Sequence, residues 1–439
     1  MTSFTNADGA TFPVCCALIL LVPLAAFGLA LVNTGFGRAR GAAHAMLSSL
    51  AAVAVAAIVY SLIGFSWEGF AAGPAHQFLL GGTSWKWLAR EPLFLRGMVW
   101  NGTPATLALV LQIFAVGITV LIPISTGADR WRTRSILISS ALLAGWSYPL
   151  FAHWVWGGGW LAQLGSNFHL GHGFLDAGGA STIQVMGGLS ALAIAWILGP
   201  RRGKYPAEGG TAAIPGHNMV YVLFGCALLV PGWIALNSVG AILFVAAPLA
   251  HIPLIAANTM LSASASCLVA VAVTRIRFGK PDASICANGW LGGLVASSAV
   301  SCFVTPTVAI LVGLIAGLLV TASVEILEIH LATDDPGGAV SVHAVAGIWG
   351  LLAVGIFPHI PDAIASTQSA GSSNSGQFLA QLVGVATLLG LMLPMIYGLN
   401  WAIDRIDPQR VASRGERQGM DLHELGGGAY PEFVIRGEE

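Results

Sequence analysis

The amino-acid sequence predicts an all-α integral membrane protein with about eleven transmembrane helices. Of its 439 residues, 56% are hydrophobic and only 9% are charged, whereas a soluble domain carries roughly 25% charged residues. Apolar runs recur along the chain that are long enough to cross a hydrocarbon core of about 30 Å. The short alternating segments that mark a membrane β-barrel do not occur in the sequence. The composition therefore indicates a protein whose surface is largely in contact with membrane lipid.

Eleven apolar runs, separated by Arg/Lys clusters and by links rich in Gly, Pro and Ser, predict the individual helices. These spans cover residues 13–36, 43–66, 103–126, 135–157, 176–198, 218–240, 250–275, 285–303, 306–330, 339–357 and 377–403. We expect residues 1–403 to form one membrane domain and residues 404–439 to form a tail.

The cationic residues predict the orientation of these spans. With the N-terminus outside, sixteen Lys and Arg residues fall in inner segments and three fall in outer segments. The inner set is Arg38, Arg40, Arg130, Arg132, Arg134, Arg201, Arg202, Lys204, Arg275, Arg277, Lys280, Arg405, Arg410, Arg414, Arg417 and Arg436, and the outer set is Lys86, Arg90 and Arg96. This positive-inside bias predicts a multi-pass protein of the cell (inner or plasma) membrane with the N-terminus outside and the tail in the cytoplasm.

Several function classes find no support in the sequence. The net charge of −1 gives no basis for a nucleic-acid partner. The six cysteines lie mostly inside apolar runs without metal-ligand spacing, and the glycine-rich stretches lack phosphate-loop spacing. We therefore expect no metal and no cofactor. No nucleophile–base set stands at a shared depth, so an enzyme is not predicted.

Spans five and ten share a pattern. Span five reads QVMGGLSAL from Gln184, and span ten reads HAVAGIWGL from His343. Each has a polar residue, a small pair three and four residues later, and Leu eight residues later. Spans five apart cross the membrane in opposite directions, so the pattern predicts an inverted-topology repeat with a site near the midplane.

Gln184 and His343 are the main candidates for lining that site. Strongly polar groups at membrane depth are costly and indicate function by default. An amide and a neutral imidazole both donate and accept hydrogen bonds, so together they could line a narrow pore for a small polar solute. The alternative for His343 is a core histidine bonded to a neighbouring carbonyl.

Three further residues each have two interpretations. Asp176 opens span five, either as a helix cap or dipole partner or as a carboxylate that stabilises a cation. Trp156 lies in HWVWGGGW at an outer boundary, either in an interfacial aromatic belt or with its π face toward a cation. Asn237, a polar residue late in span six, has either a structural or a cation-stabilising role.

The chain resembles the ammonium transporter family (Amt/Mep/Rh) over nearly its whole length. The resemblance rests on these motifs taken in order: GFG after span one, GADRWR, AHWVWGGGW, QVMGGLSALAIAWILGPRRGKY, GWIALNSVG, DDPGGAVSVHAVAGIWG and the tail RQGMDLHELGGGAYPEF. It implies a homotrimer with a narrow pore through each subunit, built from two inverted five-helix halves followed by a long final helix.

The resemblance also implies roles for single positions. The family carries a pore pair of histidines; the second matches His343 and the first falls on Gln184. Trp156 matches the outer ammonium site, and Asp176 matches the acidic residue that opens span five. This chain departs from the family at four other outer positions. Two phenylalanines of span three fall on Leu111 and Ala115, the aromatic before Asn237 falls on Leu236, and a serine falls on Gly240.

These departures shape three functional hypotheses. The first is an ammonium/ammonia transporter with altered conduction, because a Gln–His pair cannot pass a proton as two imidazoles can. The second is a pore for a larger amine or a neutral molecule, since replacing Phe by Ala and Leu removes π faces and is expected to open the outer vestibule. The third is a non-conducting ammonium sensor that signals through the tail, with a PII-type regulatory protein as the partner that the resemblance implies.

Overall fold

Eleven apolar helices dominate the structure, a computed structural model that describes residues 9–71, 73–358 and 374–430. Within these ranges, ten helices are long and apolar enough to cross a membrane, and one further apolar helix is shorter. They are α1 (Thr11–Phe36), α2 (Ala39–Glu68), α3 (Pro104–Thr126), α4 (Thr133–Val155), α5 (Ala180–Leu198), α6 (Met219–Phe244), α7 (Leu249–Phe278), α8 (Ala283–Val300), α9 (Pro306–His330), α10 (Val340–Ile356, the shorter one) and α11 (Gln377–Ile406). The predicted class, a multi-pass all-α membrane protein, is confirmed.

Side-chain caps satisfy backbone N–H groups where several helices begin. Thr103 accepts from the backbone N–H of Thr106 at the start of α3, and Asp282 accepts from that of Ile285 at the start of α8, at 2.9 Å. Each cap supplies a partner to a backbone donor that the helix itself leaves unpaired. In a membrane this pairing matters more, because lipid offers no alternative partner.

Small residues let the helices approach closely. A Cβ atom on Gly225 of α6 would lie 2.6 Å from the carbonyl oxygen of Gly28 in α1. A Cβ on Gly293 of α8 would lie 2.4 Å from the carbonyl oxygen of Ser262 in α7, whose hydroxyl donates to the carbonyl oxygen of Gly293 at 2.8 Å. In lipid the hydrophobic effect does not drive helices together, so close van der Waals packing of their backbones stabilises the helix contacts instead.

The link between α2 and α3 forms a β-hairpin that was not predicted from the sequence. Strands β1 (Ala75–Leu80) and β2 (Thr83–Ala89) are antiparallel. The Gly81–Gly82 turn between them has positive φ at both positions, as a two-residue hairpin loop requires. The hairpin packs on α4, because the ring centroids of Trp87 and Trp154 are 4.9 Å apart and the indole of Trp154 donates to the Trp87 carbonyl at 2.8 Å.

The tail packs against the inner ends of the helices. Helix α11 continues to Ile406, three residues beyond the predicted boundary of the membrane domain. The backbone N–H of Val411 donates to the carbonyl of Arg130 at 2.9 Å, and the indole of Trp131 donates to the Gln409 side chain at 3.0 Å. The predicted inner cation Arg436 and the rest of residues 431–439 lie outside the described residues.

Candidate functional site

Gln184 and His343 are in direct contact inside the protein. The imidazole Nδ1 of His343 lies 2.7 Å from the Oε1 atom of Gln184, and their exposed fractions are 2% and 0%. Each lies in a π-helical turn that opens its helix, Ala180–Val185 in α5 and Val340–Val345 in α10. Such turns are often found at functional sites. The two polar residues that the repeat pattern paired therefore meet.

Two glycines of the shared pattern bring α5 and α10 together. Gly188 lies four residues after Gln184, and a Cβ there would be 2.4 Å from the backbone nitrogen of Ala344. Gly347 lies four residues after His343, and a Cβ there would be 2.7 Å from the Val185 side chain. Each glycine thus packs against the residue that follows the polar residue of the other helix. The contact is reciprocal, as an inverted repeat requires.

The hydrogen bond fixes the chemistry of the pair. Because the carboxamide oxygen of Gln184 is an acceptor, it assigns the proton of His343 to Nδ1 and leaves a lone pair on Nε2. The amide nitrogen of Gln184 is buried and has no hydrogen-bond partner among the described residues. A buried N–H group without a partner costs about 1–3 kcal/mol. The pair therefore offers one acceptor and one donor to a small polar solute.

Asp176 precedes α5 rather than opening it, because the helix begins at Ala180. Its carboxylate accepts from the backbone N–H groups of Gly179 and Ala180, both at 2.9 Å, and from that of Ser181 at 2.6 Å. These are the orphan donors of a helix N-terminus. The geometry matches the capping interpretation of Asp176, and the carboxylate lies buried beneath the loop.

Asp335 holds the equivalent position before α10. It lies eight residues before His343, as Asp176 lies eight residues before Gln184. Its carboxylate accepts from the backbone N–H of Val340 at 2.7 Å and from the hydroxyl of Thr126 at 2.6 Å. The repeat therefore extends further back than predicted. The signal was present in the sequence, since DAGGA and DPGGA stand at matching places.

Trp156 is buried within the protein and does not belong to a lipid-facing belt. It is 5% exposed, and its neighbour Trp154 is fully buried. Its indole Nε1 donates to the carbonyl of Asp176 at 2.8 Å. One face of the indole stacks on Phe244, with the ring centroids 4.2 Å apart and an interplanar angle of 7°. The belt interpretation is therefore wrong here, and that face of Trp156 is covered.

The expected opening of the outer vestibule does not occur at the replaced aromatic positions. Leu111, Ala115 and Leu236 are each at most 1% exposed. Since Ala115 has no accessible surface, the methyl group at that position borders no open cavity. Neighbouring groups fill the space that a larger side chain would occupy, as close packing of protein interiors requires.

Gly240 and Asn237 hold the segment that leads into α5. A Cβ atom on Gly240 would lie 2.4 Å from the carbonyl oxygen of Ala177, and one on Gly178 would lie 2.3 Å from the Asn237 Oδ1 atom. The Asn237 amide donates to the hydroxyl of Thr259 at 3.0 Å. A serine at position 240 would therefore displace backbone. The glycine here is explained by packing against residues 177 and 178.

An outer cavity of about 240 Å³ borders this region. Trp156 and Phe244 line it together, and Gln163, Ser166 and His172 contribute polar groups. It lies at the outer end of the predicted pathway, because α6 ends at Phe244 and α5 begins just below. A small polar solute would meet this cavity before it reaches Gln184.

A buried carboxyl at the end of α2 was not predicted from the sequence. Glu68 is 1% exposed and accepts from the phenol of Tyr60 at 2.7 Å and from the amide of Gln112. Tyr148 donates to the same Gln112, and the imidazole of His153 donates to the Glu68 carbonyl at 2.7 Å. The predicted span two ended at residue 66, which left Glu68 in an outer link. The network joins α2, α3 and α4.

Comparisons with known proteins agree over nearly the whole chain. A model of the Ammonium Transporter Family matches residues 11–430. The ammonium transporter Amt2 of Archaeoglobus fulgidus is 33% identical over 414 residues, which are 93% of this chain and 85% of the relative. The ammonium transporter of Bacillus subtilis is 30% identical over 422 residues, which are 94% of this chain and 97% of the relative.

Solved structures show the same architecture. A protein described as "Sensor Amt Protein" superposes with a TM-score of 0.82 at 26% identity, covering 94% of this chain and 98% of that chain. Mep2 of Candida albicans superposes with a TM-score of 0.78 at 22% identity, covering 97% of this chain and 91% of its own. Because the identity to Mep2 is only 22%, this second similarity supports the fold alone.

Proposed function

The chain belongs to the ammonium transporter family, and we propose that it moves ammonium or ammonia across the membrane through a narrow pathway within each subunit. The observation that carries this proposal is the buried contact between Gln184 and His343 at the crossing of α5 and α10. No other pairing of Gln and His side chains joins these two helices in the described ranges. We propose that these two side chains line the pathway.

At this point the solute would exchange hydrogen bonds with the protein. The Nε2 lone pair of His343 accepts from an N–H of ammonia or ammonium, and the unpartnered amide nitrogen of Gln184 donates to the lone pair of neutral ammonia. Ammonium has no lone pair, so the amide donor favours the neutral form. Conduction is proposed to be altered in this chain, because Gln184 cannot take up a proton.

The outer part of the pathway is proposed to lie at Trp156, with Ala115, Leu111, Leu236 and Gly240 around it. Cation recruitment would rest on the indole of Trp156 and on outer carbonyl oxygens. Asp176 and Asn237 would act indirectly, because their side chains hold the segment before α5 rather than face a solute. The full burial of Ala115 does not favour a pore for a larger amine.

A sensor is the second candidate function. The superposition on the protein described as "Sensor Amt Protein" favours it, as does the tail that is hydrogen-bonded to the loop after α3. In that case solute binding would alter the docking of residues 407–430 on the membrane domain. A homotrimer and a PII-type regulatory protein at the cytoplasmic face are proposed from the family resemblance.

Flux measurements on reconstituted protein test the proposed function. Proteoliposomes that contain the wild-type chain should pass ammonium, measured as current or as internal pH change after an ammonium jump. His343→Ala should change that flux, because it removes the acceptor and the partner of Gln184. Empty liposomes are the control. A wild-type protein that binds ammonium without passing it would favour the sensor.

A further inference from the structure

Phe244 lies at the outer end of α6, directly above the predicted outer site. It is the last residue of the helix and stands four residues after Gly240. Residues four apart lie on the same face of a helix, one turn above the other. Gly240 packs against the carbonyl of Ala177. Phe244 therefore lies one turn further out on the face that contacts the start of the pathway.

The phenyl ring of Phe244 covers one face of the Trp156 indole. Their centroids are 4.2 Å apart and the rings are parallel to within 7°. A cation bound to an aromatic face sits within about 6 Å of the ring centroid. The phenyl ring already fills that volume over this face of the indole. A cation and Phe244 therefore compete for the same face of Trp156.

The helix end that presents Phe244 is held in a defined conformation. The backbone N–H groups of Val245 and Ala247 both donate to the carbonyl of Ala241, at 3.3 Å and 3.0 Å. Ala246 has a φ of 55°, in the left-handed region where glycine is usual. A residue with a Cβ adopts this conformation at a cost in free energy. The surrounding structure therefore fixes the position of the ring against this local preference.

The other candidate positions for an aromatic ring supply none. Leu111, Ala115 and Leu236 carry no π system, and all three are buried. Phe174 borders the same outer cavity, but its ring meets Phe151 edge-on at 6.5 Å. Among the ring pairs of the described residues, the Trp156–Phe244 pair is the one that stacks face to face.

We propose that Phe244 is a specificity-determining residue that gates the outer end of the pathway. Its ring must move off Trp156 before an ammonium ion can bind to the covered indole face. The ring therefore raises the concentration of ammonium needed for entry and excludes bulkier amines from the same place. This proposal rests on the proposed function, and it concerns a side chain that the pathway residues above do not include.

The test compares Phe244→Ala and Phe244→Tyr with the wild type in proteoliposomes. In Phe244→Ala the freed indole face should lower the KM for ammonium about 2–5-fold, which corresponds to one exposed cation–π contact. The ratio of methylammonium to ammonium transport should rise, because the ring no longer blocks the methyl group. Phe244→Tyr keeps the ring and should retain the wild-type KM and ratio.

Two further variants separate this role from a structural one. In a Trp156→Leu background, the additional change Phe244→Ala should leave the KM for ammonium unaltered, because the indole face that Phe244 covers is no longer present. Phe174→Leu removes a different ring from the same cavity and controls for general loss of packing. If Phe244→Ala does not assemble, Phe244→Leu serves in its place, since it keeps apolar volume without a π face.

A Phe244→Ala protein with the wild-type KM and the wild-type transport ratio overturns the proposal, whatever its maximum rate. Absence of flux in the wild type contradicts the proposed function instead. In that case the role of Phe244 is tested on solubilised protein. The measurement is the rise in Tm on adding ammonium chloride, with sodium chloride as the control. A larger rise in Phe244→Ala than in the wild type supports it, and an equal rise overturns it.

Discussion

Gln184 and His343 form a pair in which one side chain is of an ionisable type and the other is not. The contact of 2.7 Å turns Nδ1 of the imidazole toward the amide. An imidazole ring can take up a proton, whereas a carboxamide cannot. On the proposed function, no proton passes between these two side chains. The solute must cross this point by exchanging hydrogen bonds.

The contact between these two residues could be predicted from the sequence, but its surroundings could not. A polar residue at membrane depth needs a partner, and equal spacing in two helices indicated which one. The reason for glycine at position 240 was hidden, because it depends on the backbone of Ala177, 63 residues away in the sequence. The stack of Trp156 on Phe244 likewise joins two helix ends that no local pattern connects.

The packing of Gly240 gives a prediction for stability. In Gly240→Ser, the new Cβ would sit 2.4 Å from the carbonyl oxygen of Ala177. A backbone atom cannot yield as a flexible side chain does, so we expect a loss of about 1–3 kcal/mol. Gly398→Ser is the matched control, since a Cβ atom at position 398 would meet nothing within 4 Å. Thermal unfolding of the solubilised proteins checks both. Equal Tm values for the two variants would contradict this account of Gly240.

Helices α5 and α10 begin in the same way. Each follows an aspartate that caps it, begins with a π-helical turn, and carries its polar residue eight positions after that aspartate. The sequence revealed the half of this pattern that follows Gln184 and His343. The part of the pattern that involves the capping aspartates became evident only from the hydrogen bonds of Asp335 in the structure. The β-hairpin was missed because its short strands are less apolar than the helices around them.

Buried charges hold the inner loops around these helices. Arg201, after α5, contacts Asp334, before α10, through Nε at 2.9 Å and Nη2 at 3.0 Å. Arg130 adds a hydrogen bond to the Asp334 carbonyl at 2.9 Å. Burial raises the pKa of the Asp334 carboxyl, but the hydrogen bonds and charges of the two arginines outweigh it, so the pKa lies below its ordinary value.

Removing this charge should destabilise the protein and change its response to acid. Asp334→Asn removes the carboxylate charge that Arg130 and Arg201 share and leaves Arg201 only the longer contact with Asp129 at 3.4 Å. Removing one partner of a buried ion pair costs about 3–5 kcal/mol. In the wild type the lowered pKa contributes stability that is present above the unfolded pKa of about 3.9 and lost as the pH falls through the folded pKa. Asp334→Asn has no carboxyl group at this position, so it should lack the part of the acid-induced loss of stability that Asp334 causes in the wild type. Thermal unfolding between neutral and acid pH measures both effects.

Asp407→Asn is the control for Asp334→Asn. Its carboxylate contacts Arg132 at 3.0 Å, but the two side chains are 24% and 36% exposed. Exposed ion pairs contribute about 0–1 kcal/mol, so this variant should unfold close to the wild-type temperature. A similar loss in both variants would contradict the role given to the buried pair.

The cationic residues that predicted the orientation of the chain also hold its inner segments together. Several of the inner cations that predicted it are buried links rather than lipid contacts; Arg130 is fully buried and Arg201 is 3% exposed. Arg410 joins the tail to α5 by donating to the carbonyl of Leu198 at 2.8 Å. The sequence predicted the tail, but its docking follows from contacts between segments far apart in the chain.

On the proposed function, the Gln184–His343 pair controls what passes through the protein. Ammonium currents from reconstituted wild type, Gln184→His and Gln184→Ala test it most directly. We expect the wild type to pass ammonium, Gln184→His to pass more because a second imidazole can share a proton, and Gln184→Ala to differ from the wild type because His343 loses its partner. Equal currents from all three proteins would contradict the claim.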